Sequence, residues 1–294
     1  MMKKIVIFLA VLLLLAGAGV YFYPSAADLF YQTGAAVKIG RYQKNTESAN
    51  AAEMDEMIEK AQDYNAAFSE TLSTDPFQTG NQEPYQEDGE YQNLLNLDGL
   101  MGYVDIPKID VYLPVYHGTS QETLKKGAGH LYGSALPVGG NGTHSVISAH
   151  RGLPSAKMFT DLDQVQKGDI FYFHVLNRIL AYQVDQIEVV EPTELSFLNP
   201  EPGKDYMTLF TCTPYGINTE RLLVRGVRIP LDVVGMDKAS ERAGADAPKL
   251  KASLPPAMIT AASAAAVILL LTVILFVWLH GRKRGRGEER QENL

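Results

Sequence analysis

A mostly β fold, closed into a barrel or stacked as a sandwich and framed by an apolar segment at each end, is what this sequence predicts. Between Met101 and Ile229, short β-branched and aromatic runs alternate with turns, and helical patterns there are brief. Two long uncharged stretches, Ile5 to Phe22 and Ala257 to Leu279, bracket everything else.

Taken in order, Ile5 to Phe22 follows Lys3 and Lys4 and has about the minimum length to cross a bilayer. The small residues of Pro24-Ser-Ala-Ala27 also permit a cleaved signal peptide, but the run exceeds a usual signal core, which favours an uncleaved anchor. Ala257 to Leu279 reads as a second membrane helix, followed by His280 and the basic run Arg282 to Arg286. Basic residues flank cytoplasmic ends, so both termini are expected inside the cell membrane and the middle outside. The chain has 26 Lys plus Arg against 34 Asp plus Glu, a net charge of −8. Because the basic clusters sit at the ends, the exported middle is more acidic still. That balance serves solubility and argues against nucleic acid, whose phosphates demand basic patches.

Glu47 to Glu70 places Met54, Met57, Ile58, Ala61, Tyr64 and Phe68 at helical spacing, an amphipathic helix packed on something. Ser73 to Gly99 is a polar loop too long for a plain connector. Strands follow at Met101 to Ile109, Val111 to Tyr116, Thr143 to Ala149, Asp169 to Leu176, Ile179 to Val190, Tyr206 to Thr211 and Arg221 to Ile229. Asn177-Arg178 reads as a hairpin turn. Short helices are expected at Thr119 to Lys126 and around Ala156 to Leu162. No internal repeat is present, and Asp237 to Ser253 reads as a tether. The expected partition is 1–4 cytoplasmic, 5–22 anchor or signal peptide, 23–100 extracellular helical region and loop, 101–230 β domain, 231–256 tether, 257–279 membrane helix and 280–294 basic cytoplasmic tail.

Cys212 is the only cysteine, placed where Tyr206-Met-Thr-Leu-Phe-Thr-Cys212 runs into the turn Thr213-Pro-Tyr-Gly216. A lone thiol outside the cell is either a small buried hydrophobe or a nucleophile. A nucleophilic thiol needs a cationic neighbour, and histidine also manages the leaving-group proton. His150 ends a strand and enters a turn; His117, His130 and His144 occupy comparable places, and spacing alone does not choose. Arg221, across a turn from Cys212, has the reach to stabilise an oxyanion, with Arg225 and Arg228 as rivals on the same strand. Period-two alternation puts Arg221 and Arg225 on one face and Arg228 on the other. No metal-ligand spacing is present, although Asp161, Asp163 and Asp169 leave calcium open.

The segment Thr-Leu-Phe-Thr-Cys212, the following Thr-Pro-Tyr-Gly216, Arg221 with Leu-Leu-Val-Arg-Gly226, and Ser148-Ala-His-Arg151 together resemble the sortases, membrane-bound cysteine transpeptidases of Gram-positive bacteria. The resemblance covers roughly residues 101 to 229. It implies a closed sortase-type β-barrel with His150, Cys212 and Arg221 as the catalytic trio and no cofactor. Asp75-Pro76-Phe77 in the long loop is similar to the lid motif of class C, the pilus-building sortases, and a second membrane span also fits that class. The lid would pair Asp75 with Arg221 and cover Cys212 with Phe77; the plain alternative is a surface turn.

The reaction so implied is attack of Cys212 on the Thr-Gly bond of an LPxTG-like sorting signal, with His150 protonating the leaving amine and Arg221 holding the substrate. A lysine side chain of a second pilin would then take the acyl group. Thr211, Leu195 and Phe197 are expected to touch the peptide, the last two from the loop Glu191 to Asp205, whose apolar residues could instead cap the core. A housekeeping sortase that anchors proteins to the cell wall, and a non-enzymatic membrane-tethered β scaffold, are the competing readings. A papain-like protease fits poorly, because there the histidine follows the cysteine.

Overall fold

The structure is a computed structural model in which residues 2–67, 75–77 and 88–231 are described. Phe68, the expected tether, the second apolar stretch and the basic tail lie outside the described residues. Within the described part, residues 2–26 and 27–231 belong to different compact units.

The first unit is the start of helix α1 (Met2–Ser48), a segment long and apolar enough to cross a membrane. In the second unit, the later turns of α1 bury Ile39 and Tyr42 in an apolar cluster with Leu100 and Tyr103. The Tyr42 hydroxyl donates to Met101 O (3.2 Å) and accepts from Leu176 N (2.7 Å). Helix α2 (Ala51–Ala67) buries Met54, Ile58 and Ala61 in the main core, with Met57 and Tyr64 packed beside them, as its periodicity predicts.

Eight strands close a barrel: β1 (Gly102–Ile106), β2 (Val111–His117), β3 (Ala128–His130), β4 (Thr143–Ser148), β5 (Ile170–Val175), β6 (Arg178–Val190), β7 (Asp205–Thr213) and β8 (Glu220–Ile229). The order round the barrel is β1-β2-β3-β4-β7-β8-β6-β5, which leaves no sheet edge unpaired. Only β2 with β3 and β4 with β7 run parallel among these pairs. A parallel pair needs a long crossover, and here β5 and β6 supply it between β4 and β7. Val104, Ile147, Phe171, Phe173, Met207, Leu209, Leu222 and Val224 fill the interior. Gly226 is forced by that packing, since a Cβ there would sit 2.7 Å from the Phe171 ring.

Four local expectations are corrected. The strand β3 was not foreseen, because Ala-Gly-His is too short and too glycine-rich to carry an alternation. Ala156 to Leu162 is not a helix but a series of turns leading into a 3-10 turn at Leu162–Gln164. The β5–β6 hairpin turns at Leu176-Asn177 rather than Asn177-Arg178, with Val175 paired to Arg178 and Leu176 at φ 48°. The long loop contains a short helix, α3 (Gly89–Asn93), whose first turn is capped by Asp88 accepting from Tyr91 N (2.9 Å). The second short helix, α4 (Gln121–Lys126), forms where the pattern places it and is capped by Ser120.

Candidate active site

Strand pairing gathers Cys212 and Arg221 at one end of the barrel, and the chain leaving β4 brings His150 to that end. In the parallel β4–β7 pair Ser148 stands opposite Phe210. The pairing continues one step, with Ala149 N donating to Phe210 O (3.2 Å) and Thr211 Oγ1 donating to Ala149 O (2.7 Å). There the pairing stops; His150 follows at the same end of the barrel as Cys212, each lying two residues past the Ser148–Phe210 pair. The antiparallel β7–β8 pair puts Cys212 directly opposite Arg221. Ile147, Leu209 and Leu222 face the core, so alternation turns His150, Cys212 and Arg221 to the outer face together. Thr211, expected to touch a peptide, points the other way and is fully buried, its hydroxyl spent on Ala149 O.

Asp75-Pro76-Phe77 lies over that outer face. Both Asp75 carboxylate oxygens are gripped by Arg221, Nε to Oδ1 at 2.9 Å and Nη2 to Oδ2 at 2.5 Å. Arg221 Nη1 donates to the Asn218 and Glu220 carbonyls (3.0 and 2.9 Å), so each guanidinium nitrogen is engaged. The ion pair is sealed from water, with side-chain exposures of 7% and 0%. Phe77 N donates to Asp75 Oδ1 (3.3 Å), which folds the three residues into a tight turn. The Phe77 ring stacks on Phe210 (5.9 Å, 13° between planes) and lies 5.8 Å from the His150 ring and 5.7 Å from Arg221 Cζ. Phe77 thus sits among the residues that flank Cys212, whose own exposure is only 7%.

Beneath Phe77 is an apolar cluster distinct from the barrel core, made by Leu131, Val146, Leu198, Phe210 and Leu223 with Leu195 and Val190 against it. Of the two loop residues expected at the peptide, Leu195 belongs to this cluster; Phe197 stands outside it and is exposed.

The covered site is electrically quiet. Burial pushes the Cys212 thiol up to about 11; Arg221 opposes that shift and the Asp75 carboxylate adds to it. Burial, helped by nearby Lys125, lowers the His150 imidazole below its ordinary value. At neutral pH the pair is a thiol and a neutral imidazole. Burial also works against the Arg221 charge, but its hydrogen bonds to Asp75 more than restore it.

Geometry separates the rival residues. His117 Nε2 is bonded to Leu94 O (2.8 Å), His130 to Ala135 O and the Tyr91 hydroxyl (both 2.9 Å), and His144 to Thr208 Oγ1 (2.7 Å) and Asn199 O (3.1 Å). The ring of His150 has no hydrogen-bond partner among the described residues and lies 5.8 Å from the Phe77 ring. Arg225 shares the outer face but pairs with Asp185, and Arg228 lies over the Tyr182 ring. The three aspartates that left calcium open are otherwise occupied: Asp161 with Lys157, Asp163 with Arg151, and Asp169 accepting from Gln166 N (2.9 Å). Sequence reasoning overlooked Phe210, the platform for Phe77. Its position two before Cys212, hence on the same face, was the available signal.

The Sortase domain family matches residues 104–229. Sortase A of Streptococcus agalactiae serotype III (strain NEM316) is 30% identical over 156 residues, 52% of this chain and 59% of that protein. The chain spans about three-fifths of the length of such curated relatives. The crystal structure of Streptococcus pneumoniae sortase C is 49% identical, with a TM-score of 0.60, covering 65% of this chain and 96% of that one. A pilus-related sortase C of Group B Streptococcus is 43% identical, with a TM-score of 0.61, over 64% of this chain and 95% of that one.

Proposed function

This chain belongs to the sortase family, and from that premise we propose that it is a membrane-anchored cysteine transpeptidase of the class C type, which joins pilin subunits to one another. The observation that carries the reading is the placement of Asp75 and Phe77 across the face shared by His150, Cys212 and Arg221. A carboxylate on the guanidinium and an aromatic ring on the apolar cluster occupy the positions a peptide carbonyl and an apolar side chain would take. The class C likeness of the structural neighbours supports the same assignment.

In this reading Asp75-Pro76-Phe77 is a lid that a sorting peptide displaces. With Phe77 gone the thiol is less buried, and with Asp75 gone Arg221 acts on it unopposed; both changes lower the Cys212 pKa. His150 takes the Cys212 proton as Sγ attacks the threonine carbonyl of an LPxTG-like signal, and Arg221 takes the charge that builds on the oxygen. The C–N bond breaks as His150 gives its proton to the leaving amine, leaving a thioacyl enzyme. A pilin lysine amine attacks that thioester, His150 receives the proton, and the thiol is regenerated beside a new isopeptide bond. Leu195 lines the peptide's path; Thr211 acts from behind, bracing β4 against β7. In this reading both termini lie in the cytoplasm and the barrel outside; the apolar N-terminal helix supports the membrane attachment, and Lys3 and Lys4 before the apolar run support an inward N-terminus.

The test is to incubate the full chain in detergent with an LPxTG peptide and analyse it by mass spectrometry. The expected product is an acyl adduct on Cys212 that hydroxylamine releases. Turnover in Cys212→Ala would sink the assignment. Offering a pilin and a cell-wall amine in competition decides between pilus polymerisation and wall anchoring.

A further inference from the structure

The β4–β7 register ends before it reaches either His150 or Cys212. The last hydrogen bonds between the two strands involve Ala149, and β4 leaves the sheet there while β7 continues to Thr213. His150 therefore begins a loop, held at its carbonyl by Phe159 N (3.1 Å), and its ring nitrogens have no hydrogen-bond partner among the described residues. A general acid needs tighter placement than a loop gives by itself.

The residue after His150 supplies it. Arg151 Nη1 donates to Thr213 Oγ1 (2.8 Å), the side chain immediately after Cys212. Its Nε donates to Thr160 O (3.2 Å) and its Nη2 to Asp163 Oδ2 (2.5 Å). The same loop is fastened again by Gly152 N donating to Thr160 Oγ1 (3.2 Å). The Arg151 side chain is 8% exposed while Asp163 is 51% exposed, so the bonds to Thr213 and Thr160 are the sheltered ones. A planar guanidinium reaches three acceptors in fixed directions; an ammonium has no such fork.

We propose that Arg151 is a positioning residue for the transpeptidation described above, on which this inference rests: it holds His150 at Cys212 by clamping the chain after one to the residue after the other. It touches neither the thiol nor the imidazole. Its effect therefore falls on kcat, through the His150-to-Cys212 distance, and not on peptide binding at Leu195 and Arg221.

The experiment measures LPxTG peptide cleavage by the full chain in detergent, in an Asp75→Ala/Phe77→Ala background that uncovers the site. Arg151→Ala is expected to lower kcat by about 10- to 100-fold with KM within about threefold, the size of a misplacement near 1 Å. Arg151→Lys is expected to recover little of that loss. Thr213→Val, which removes one sheltered bond and leaves Arg151 paired with Asp163, should lower kcat by roughly fivefold. Thr213→Ser, which keeps the hydroxyl, should match the parent. A role confined to loop stability predicts a lower Tm with parental kcat measured well below it. Parental kcat in both Arg151→Ala and Thr213→Val would overturn the proposal. A parent that forms no acyl adduct on Cys212 would overturn the transpeptidase reading itself, so the two failures are distinguishable.

Discussion

Arg221 and Arg225 stand on the same outward face of β8, and each grips a carboxylate with Nε and Nη2. Arg225 holds Asp185 at 3.1 and 2.7 Å; Arg221 holds Asp75 at 2.9 and 2.5 Å. The bonds are nearly the same, but the Arg225 pair is partly open to water (17% and 30% exposed) where the Arg221 pair is sealed (7% and 0%), and the two differ further in what carries the carboxylate. Asp185 stands at the irregularity in β6, the strand paired to β8, so it leaves only if the sheet opens. Arg225 is further fixed over the Tyr206 ring (4.1 Å) and reaches Glu201 (3.5 Å). Asp75 arrives on a tight turn that belongs to no strand. A buried ion pair is near balance, because the cost of stripping water from both charges is close to their attraction. When the partner is built into the sheet, that balance makes a permanent strut. When it sits on a turn, release returns the hydration of both groups without opening the sheet, which is what the proposed lid requires.

This contrast breaks first on activity. Arg221→Ala should lower kcat/KM for an LPxTG peptide by about 100-fold or more, the size of losing an oxyanion donor, whereas Arg225→Ala should stay within a few-fold. Equal losses in steady-state assays would show that the two arginines are not functionally distinct. The carboxylates give the opposite sign. Asp75→Ala with Phe77→Ala should raise peptide cleavage by roughly tenfold, since acid–base and oxyanion groups become available; Asp185→Ala should give no increase and should lower the urea midpoint.

A smaller effect sharpens the electrostatics. Uncovering the site removes burial and a negative charge from Cys212 and leaves Arg221 beside it, so the thiol pKa should fall from about 11. The pH dependence of Cys212 alkylation by iodoacetamide reads this directly, and an unchanged midpoint in the lid variant would break the argument.

The smallest expected effect lies at the Arg225 end of the face. His144 is lowered to about 4 by burial, with Arg225 adding to that shift. Its folded-state pKa lies below the unfolded one near 6.5, so the unfolded chain binds the extra proton first. The stability it contributes is complete above about pH 6.5 and is lost as pH falls towards 4. His144→Asn should flatten the urea midpoint over that window, with cleavage at pH 7.5 altered little.

The candidates for the site were legible because alternation and strand ends are local, but those rules left His150 among four histidines and Arg221 among three arginines, and only the sortase resemblance singled out the trio. Cys212, His150 and Arg221 each sit where an apolar run stops, and the spacing of Arg221 and Arg225 already put both on one face. Phe210 was equally within reach by that rule and was passed over because a phenylalanine in an apolar run looks like core. Ala128–His130 was not legible, for a three-residue strand with a central glycine has no period to detect. The inward orientation of Thr211 was within reach of the alternation rule, since it lies between Phe210 and Cys212 in β7, and was passed over because its neighbour is the candidate nucleophile.

By itself the sequence determined the apolar N-terminal helix, the run of strands that makes a β domain, the amphipathic stripe of α2 and the residues able to do thiol chemistry. Those are properties of short windows, set by side-chain period and composition. Tertiary structure alone decided which histidine stands at the thiol's end of the barrel without a hydrogen-bond partner among the described residues, since β4 and β7 are neighbours only after β5 and β6 have crossed between them. It also decided that Asp75, distant in sequence, closes on Arg221 while the similar Arg225 is held by the sheet. Pairing between remote strands is fixed by closing the barrel and burying its core, and no local pattern encodes it.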